Sequence, residues 1–252
     1  MRFASLGSGS KGNATLVQCG ETLLMIDCGF SLRETTRRMA RLGLQPDQLQ
    51  AILVTHEHGD HCAGVARLSR RYNVPVYLTH GTASSGRCEG SHVFRCFNCD
   101  DQFDIGEISV QTVAVPHDAA EPCQFRLSAA GKSLGVLTDL GCITPHVVDS
   151  YRGCDSLLLE FNHDLEMLMQ GEYPPQLKRR VGGDWGHLNN EQAAELLRQL
   201  DCGNGLNNLV VAHISEKNNS RFSAESALGG VLDSLEGVVW ACQEQGFDWL
   251  QV

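Results

Sequence analysis

The sequence predicts an α/β fold built as a single domain over residues 1–252. Three observations lead there. Short apolar, β-branched runs alternate with stretches of helical spacing. Ligand-type side chains stand directly after several of those runs, as in Ala51-Ile52-Leu53-Val54-Thr55 followed by His56-Glu57-His58-Gly59-Asp60-His61. No low-complexity linker divides the 252 residues, which suffice to bury a substantial core.

Composition narrows the class. With 42% hydrophobic residues, 20% charged residues and 26 glycines, the chain reads as a loop-rich globular enzyme rather than a disordered or fibrous protein. No stretch approaches a membrane span, and Met1-Arg2-Phe3-Ala4 opens a strand without a signal-peptide apolar region, so a cytoplasmic protein is expected. Eleven cysteines, an odd count without framework spacing, point to reduced thiols. Cys96 and Cys99 form a close pair, but a zinc half-site needs a second pair and none follows at suitable spacing. A net charge of −10 opposes non-specific attraction to a polyanion, so any grip on nucleic acid has to be local.

In chain order, Phe3 to Leu6 and Ala14 to Gln18 read as strands around the loop Gly7-Ser8-Gly9-Ser10-Lys11-Gly12-Asn13. Glycine lets the main chain approach a phosphate closely, which makes Ser10 and Asn13 candidate substrate contacts, while a bare hairpin turn accounts for the loop equally well. Thr22 to Asp27 is a strand, and a helix runs from a Ser31 cap, with Glu34 three residues on, to Leu42 before Gly43. Arg33, Arg37, Arg38 and Arg41 on that helix are expected to face solvent. Cys62 to Tyr72 has helical spacing and carries Arg67, Arg70 and Arg71. Val76 to Leu78 is a strand leading to His80, expected to be a hydrogen-bonded structural histidine. Residues 87–104 show no readable period, and His92 has no assigned role. Ile108 to Val115, Gln124 to Leu127, Lys132 to Leu137, Ser156 to Leu159 and Asn207 to Ala212 complete the strands of the body. A helix is expected from Asn189 to about Leu200, and the C-terminal part is read as a helix from Ser223 to Leu235 and a strand from Gly237 to Trp240.

The chemistry concentrates after Thr55. Histidines one residue apart on extended backbone project the same way, so His56 and His58 can share a cation. Asp60 and His61 follow at the turn and suit a second, more oxygen-rich position. Two cations held close together suit the hydrolysis of esters and phosphodiesters.

His56-x-His58-x-Asp60-His61 after a hydrophobic strand resembles the signature of the metallo-β-lactamase superfamily. The resemblance implies a four-layer αββα sandwich, with Asp27 as a structural hydrogen-bonding residue. It also implies further ligands at later strand ends: His117, Asp139 as a bridging carboxylate, and His213. It assigns His56, His58 and His117 to one divalent ion, Asp60, His61 and His213 to a second, and Asp139 to both.

Glu160, His187 and His213, in that order, resemble the phosphodiesterase branch of the superfamily, in which a glutamate and a histidine assist proton transfer to the leaving group. The opening Gly-Ser-Gly-Ser-Lys-Gly-Asn, the run Glu160-Phe161-Asn162-His163-Asp164, Gly186-His187-Leu188-Asn189-Asn190 and the run from His213 to Asn219 resemble the small bacterial exonuclease family called YycJ or WalJ. Phe161 and Asn189 depart from it, each standing where a serine is common. The implied activity is that of a phosphodiesterase with two divalent ions, zinc or manganese, acting as a 5′-to-3′ exonuclease on DNA rather than RNA. Asp60, Glu160 and His187 are its expected catalytic residues, and Asn162 and His163 join Ser10 and Asn13 as candidate substrate contacts. Water between the ions would be deprotonated near neutral pH and oriented by Asp60, with His187, positioned by Glu160, serving the leaving oxygen.

Two rivals from other classes are a thiolester hydrolase of the glyoxalase II kind and a non-catalytic metal-binding scaffold. Transfer-RNA 3′ processing enzymes carry a long arm between the positions of His117 and Asp139, here only about twenty residues apart. The β-CASP nucleases insert a second domain after the position of Asp139, and this chain lacks room for one.

Overall fold

Side chains alternate across a strand, so a run that is apolar at every position must be covered on both faces. That condition is met by two seven-stranded sheets in a computed structural model that describes residues 1–200 and 205–252. The first sheet contains β1 (Arg2–Gly7), β2 (Ala14–Cys19), β3 (Thr22–Ile26), β4 (Ala51–Leu53), β5 (Val76–Thr79) and β6 (Phe94–Phe97). The second contains β7 (Gln102–Ile105), β8 (Ile108–Ala114), β9 (Cys123–Ala129), β10 (Lys132–Leu137), β11 (Ser156–Glu160), β12 (Asn208–Ala212) and β13 (Val239–Trp240). The last strand, β14 (Phe247–Gln251), returns to pair antiparallel with β1. Each sheet is antiparallel on one side and parallel on the other: β3 to β6 run parallel, as do β10 to β13.

The helices are α1 (Leu32–Arg41), α2 (Gly59–Cys62), α3 (Val65–Tyr72), α4 (His80–Ser84), α5 (Pro145–Tyr151), α6 (Leu165–Gln170), α7 (Pro175–Val181), α8 (Asn190–Gln199) and α9 (Arg221–Leu228). Three apolar clusters fill the three gaps of a four-layer αββα sandwich. Leu24, Ile26 and Leu53 meet Phe125, Leu158 and Val210 between the sheets. Their neighbours in sequence, Leu23, Met25 and Ile52, turn outward to Met39 of α1 and to Val65 and Leu68 of α3. On the other side, Leu157, Leu159 and Val211 pack on Val147 and Tyr151 of α5, Leu196 of α8 and Leu228 of α9. The continuous apolar runs of the sequence are strands buried on both faces.

Several expectations are corrected. The helix expected from Cys62 is two helices, α2 and α3, parted at Gly64, where an added Cβ would lie 2.0 Å from the Phe30 carbonyl. Helix α9 stops at Leu228, not Leu235, because Gly229 and Gly230 follow. Strands β6 and β7 lie in the unread 87–104 stretch. Phe94, Arg95 and Cys96 are exposed, so this edge strand has no apolar alternation to detect. Strand β14 and helices α5, α6 and α7 were likewise not expected.

The arginines of α1 do not form one solvated face. Arg38 is buried, donating to the carbonyls of Leu6 at 2.7 Å and Gln243 at 2.9 Å, with its guanidinium 4.1 Å over the Phe30 ring. Arg41 reaches the Gln245 carbonyl and Asp248, so α1 ties the C-terminal segment to β1. Ser31 caps α1 as expected, but Glu34 pairs with Arg37 and Arg38 rather than completing a capping box. His80 is exposed at the start of α4, and His92 is also exposed. Among the described residues no second cysteine pair faces Cys96 and Cys99.

Candidate metal centre

The strands that run one way deliver polar side chains to a single edge of the sandwich. Asp27 follows β3, His56 to His61 follow β4, His117 follows β8, Asp139 follows β10, Glu160 ends β11 and His213 follows β12. Asp27, Asp139 and His213 have φ of 60°, 55° and 52°. Non-glycine residues seldom adopt this left-handed conformation, and here it turns three strand ends sharply toward the same point.

Hydrogen bonds fix which nitrogen each histidine presents. Thr55 N–H and Oγ–H donate to Asp27 at 2.9 Å each, and His61 Nδ1–H donates to Asp27 Oδ2 at 2.8 Å. The Thr55 hydroxyl proton is thereby committed, so Thr55 Oγ accepts from His56 Nδ1–H at 2.9 Å. His117 Nδ1–H donates to the Gly186 carbonyl at 2.9 Å. His56 and His117 therefore aim bare Nε2 lone pairs inward, at 2.9 and 3.2 Å from His58 Nδ1. Burial holds both imidazoles below the usual histidine range, which keeps them neutral. Two bare Nε2 atoms converging on one nitrogen of a third imidazole suit a shared cation, since tetrahedral nitrogen ligands of zinc are about 3.3 Å apart.

The second group is charged. Asp139 Oδ2 lies 3.1 Å from both His61 Nε2 and His213 Nδ1. Asp139 Oδ2 and His213 Nδ1 are nevertheless buried without an aligned hydrogen bond, as expected of atoms directed at a common point rather than at each other. Burial opposes charge on His61, but the carboxylates of Asp139 and Asp27 outweigh it and hold the imidazole well above its usual range. Burial also opposes charge on Asp139, and His213 and His61 hold it well below the usual carboxylate range. Among the described residues, ligand-type atoms within 4.8 Å of one another form four groups: His56, His58 and His117; His56, His61 and Asp139; Asp60, His61 and His213; and Asp139, His187 and His213. The donor set fits divalent cations.

Glu160 and His187 stand beside this set. Glu160 is fully buried, accepts from Leu140 N–H at 2.7 Å and Leu188 N–H at 3.1 Å, and lies 3.2 Å from His187 Nδ1. Burial works against a charge on His187, but the Glu160 carboxylate prevails and raises its pKa to about 9.

A cleft of about 340 Å³ opens over these groups and is lined by Ser10, Asp60, Asn162 and His187 among others. The remaining candidate contacts lie deeper. Asn13 bonds to both Gly9 main-chain groups and reaches His61 Nε2 at 3.1 Å, so it braces the loop. His163, the other candidate substrate contact, is buried outside the cleft lining, and burial lowers its pKa to about 4. Phe161 belongs to the outer core, and Asn189 caps α8 in a capping box with Gln192. Tyr173, Arg180 and Asp118 line the cleft and were not singled out in the sequence. The helix start at Pro174-Pro175 and the run Lys178-Arg179-Arg180 are the signals that would have drawn attention to this segment.

Two mixed sheets between helices, with histidines and carboxylates gathered at the strand ends, define a metal-binding protein of the metallo-β-lactamase fold. Residues 22–214 match the beta-lactamase superfamily domain family. The chain is 34% identical over 228 residues to the exodeoxyribonuclease WalJ of Streptococcus pneumoniae, covering 86% of this chain and 83% of that one. It is 33% identical over 238 residues to the exodeoxyribonuclease YycJ of Bacillus anthracis, covering 92% and 89%. Among solved structures, the metallo-beta-lactamase fold protein YhfI of Bacillus subtilis superposes with a TM-score of 0.75 at 16% identity, over 99% of this chain and 98% of that one. The chain belongs to the beta-lactamase superfamily and, within it, to the family of the WalJ and YycJ proteins.

Proposed function

We propose that this protein is a metal-dependent exodeoxyribonuclease that cleaves phosphodiester bonds in the 5′-to-3′ direction and works in the cytoplasm. The observation that carries the reading is the sharing of Asp139 between two groups of converging donors, with the Glu160–His187 pair alongside them under an open cleft. The kinship with WalJ and YycJ supports DNA as the polymer.

In this reading His56, His58 and His117 would hold one divalent ion and Asp60, His61 and His213 a second, with Asp139 serving both sites; zinc and manganese would suit the mixed nitrogen and oxygen set. Such ions, when bound, acidify the attacking water and neutralise charge on the phosphoryl oxygens. Asp60, half-buried on the cleft wall, orients that water by accepting a hydrogen bond. Glu160 holds the Nδ1 side of His187, which leaves the other ring nitrogen to deliver a proton to the departing oxygen.

Protein reconstituted with zinc or manganese should shorten end-labelled DNA, releasing label from the 5′ end first. The same preparation assayed on RNA and on a thiolester tests the substrate class. Efficient thiolester cleavage without loss of label from any nucleic acid would overturn the proposal, and preference for RNA would correct its substrate.

A further inference from the structure

The chain is strongly acidic overall, yet residues 173–181, Tyr-Pro-Pro-Gln-Leu-Lys-Arg-Arg-Val, contain three cations and no acid. This segment forms one wall of the cleft, where Tyr173 and Arg180 face Asp60, Asp139 and His187. Arg180 lies on Asp118, whose Oδ1 is 3.5 Å from His117 Nε2 and 3.7 Å from His58 Nε2. A single carboxylate therefore separates the guanidinium from the donor set. The Arg180 side chain is 57% exposed, so a ligand can reach it.

The wall is also fixed in position relative to the centre. His187 N–H donates to the Val181 carbonyl at 2.9 Å, closing the turn after α7, and the Gly186 carbonyl in that turn holds His117. A Cβ at Gly186 would lie 2.2 Å from the carbonyl oxygens of Arg180 and Val181, so only glycine lets the turn pack so closely. Tyr173 stands at the other end of the wall, with Lys217 Nζ 5.9 Å from its ring.

Resting on the phosphodiesterase reading, we propose that Arg180 and Tyr173 are substrate-positioning residues that seat a single strand of DNA beside the reacting linkage. Arg180 exchanges Asp118 for a backbone phosphate, matching its fork of donors to the phosphate oxygens. Tyr173 offers its ring to a base, a contact tolerant of sequence, as an exonuclease requires. Asp118 keeps the guanidinium oriented until the phosphate arrives.

The test compares Arg180→Ala, Arg180→Lys, Tyr173→Ala and Tyr173→Phe in metal-loaded protein on two substrates, a single-stranded oligonucleotide and the small diester bis(p-nitrophenyl) phosphate. Binding of a phosphorothioate oligonucleotide is followed by fluorescence anisotropy over a salt series. Arg180→Ala should lower kcat/KM on the oligonucleotide at least about tenfold more than on the small diester, mainly through KM. It should also flatten the salt dependence of binding by about 0.7, the value of one lost single-strand phosphate contact. Arg180→Lys should recover the salt slope but not the full KM. Tyr173→Ala should weaken oligonucleotide binding about tenfold, with recovery in Tyr173→Phe. Wild-type KM and salt slope in Arg180→Ala would overturn the proposal, as would equal losses on both substrates. A wild-type protein inert toward every diester would instead defeat the phosphodiesterase reading.

Discussion

Asp27 Oδ2 accepts from His61 Nδ1–H at 2.8 Å, and neither side chain reaches solvent appreciably. Asp27 also accepts from the main-chain and hydroxyl groups of Thr55, and Thr55 in turn accepts from His56. One carboxylate thus sets the orientation of imidazoles in both donor groups. Asp27→Asn keeps the shape but loses the negative charge and places an NH₂ where an acceptor is needed. It should weaken metal binding by about 10- to 100-fold while leaving the fold intact. Competition with a chromophoric chelator measures the affinity, and circular dichroism checks the fold.

Glu34 joins α1 to its own arginines. Hydrogen bonds from Arg37 and then Arg38 hold its pKa at about 2, against 4.5 for the free side chain. Because the folded value is the lower one, the stabilisation is complete above pH 4.5 and disappears as pH falls toward 2. Glu34→Gln should therefore lower Tm at neutral pH, with the gap to wild type closing between pH 4.5 and 2. Thermal melts across that range read the difference directly.

The candidate ligand positions stand out in the sequence because each follows an apolar strand, and a strand buried on both faces leaves a continuous hydrophobic run. The Ser31 cap was legible because it acts on a group three residues away, while Asn189, expected as the first residue of a helix, is instead the cap of α8. What stayed hidden depends on distant partners. Nothing local marks Arg38 as buried, because its acceptors are carbonyls at positions 6 and 243. His163, beside Asn162 in a polar run, looks accessible, yet the chain folds over it and burial keeps it neutral. The wall from Tyr173 to Arg180 gained meaning only once α7 was seen beside the strand ends.

Removing divalent cations should destabilise the protein as well as silence it. The inward lone pairs of His56 and His117 and the buried charge on Asp139 lose their common partner on chelation. A ligand present at a hundred to a thousand times its Kd adds about 3–4 kcal/mol to the folded state. Treatment with EDTA should accordingly lower Tm by several degrees, and added zinc or manganese should restore it. An unchanged melt, with metal content shown to be nil, would mean that the cluster is stable without ions.

His187 is close enough to Asp139, at 3.5 Å, to be counted either as a ligand or as a proton donor. The two roles separate by leaving group. DNA expels a sugar alkoxide that needs a proton, whereas bis(p-nitrophenyl) phosphate expels a phenolate that does not. If His187 delivers that proton, His187→Ala should slow DNA cleavage by about 10²–10⁴-fold, the usual contribution of a positioned acid, and slow the nitrophenyl diester far less. Bound metal, measured by atomic emission, should remain at the wild-type stoichiometry. Equal losses on both substrates together with loss of metal would make His187 a ligand. Glu160→Gln should reproduce the same leaving-group bias more weakly, because it removes the charge that keeps His187 protonated without removing the imidazole.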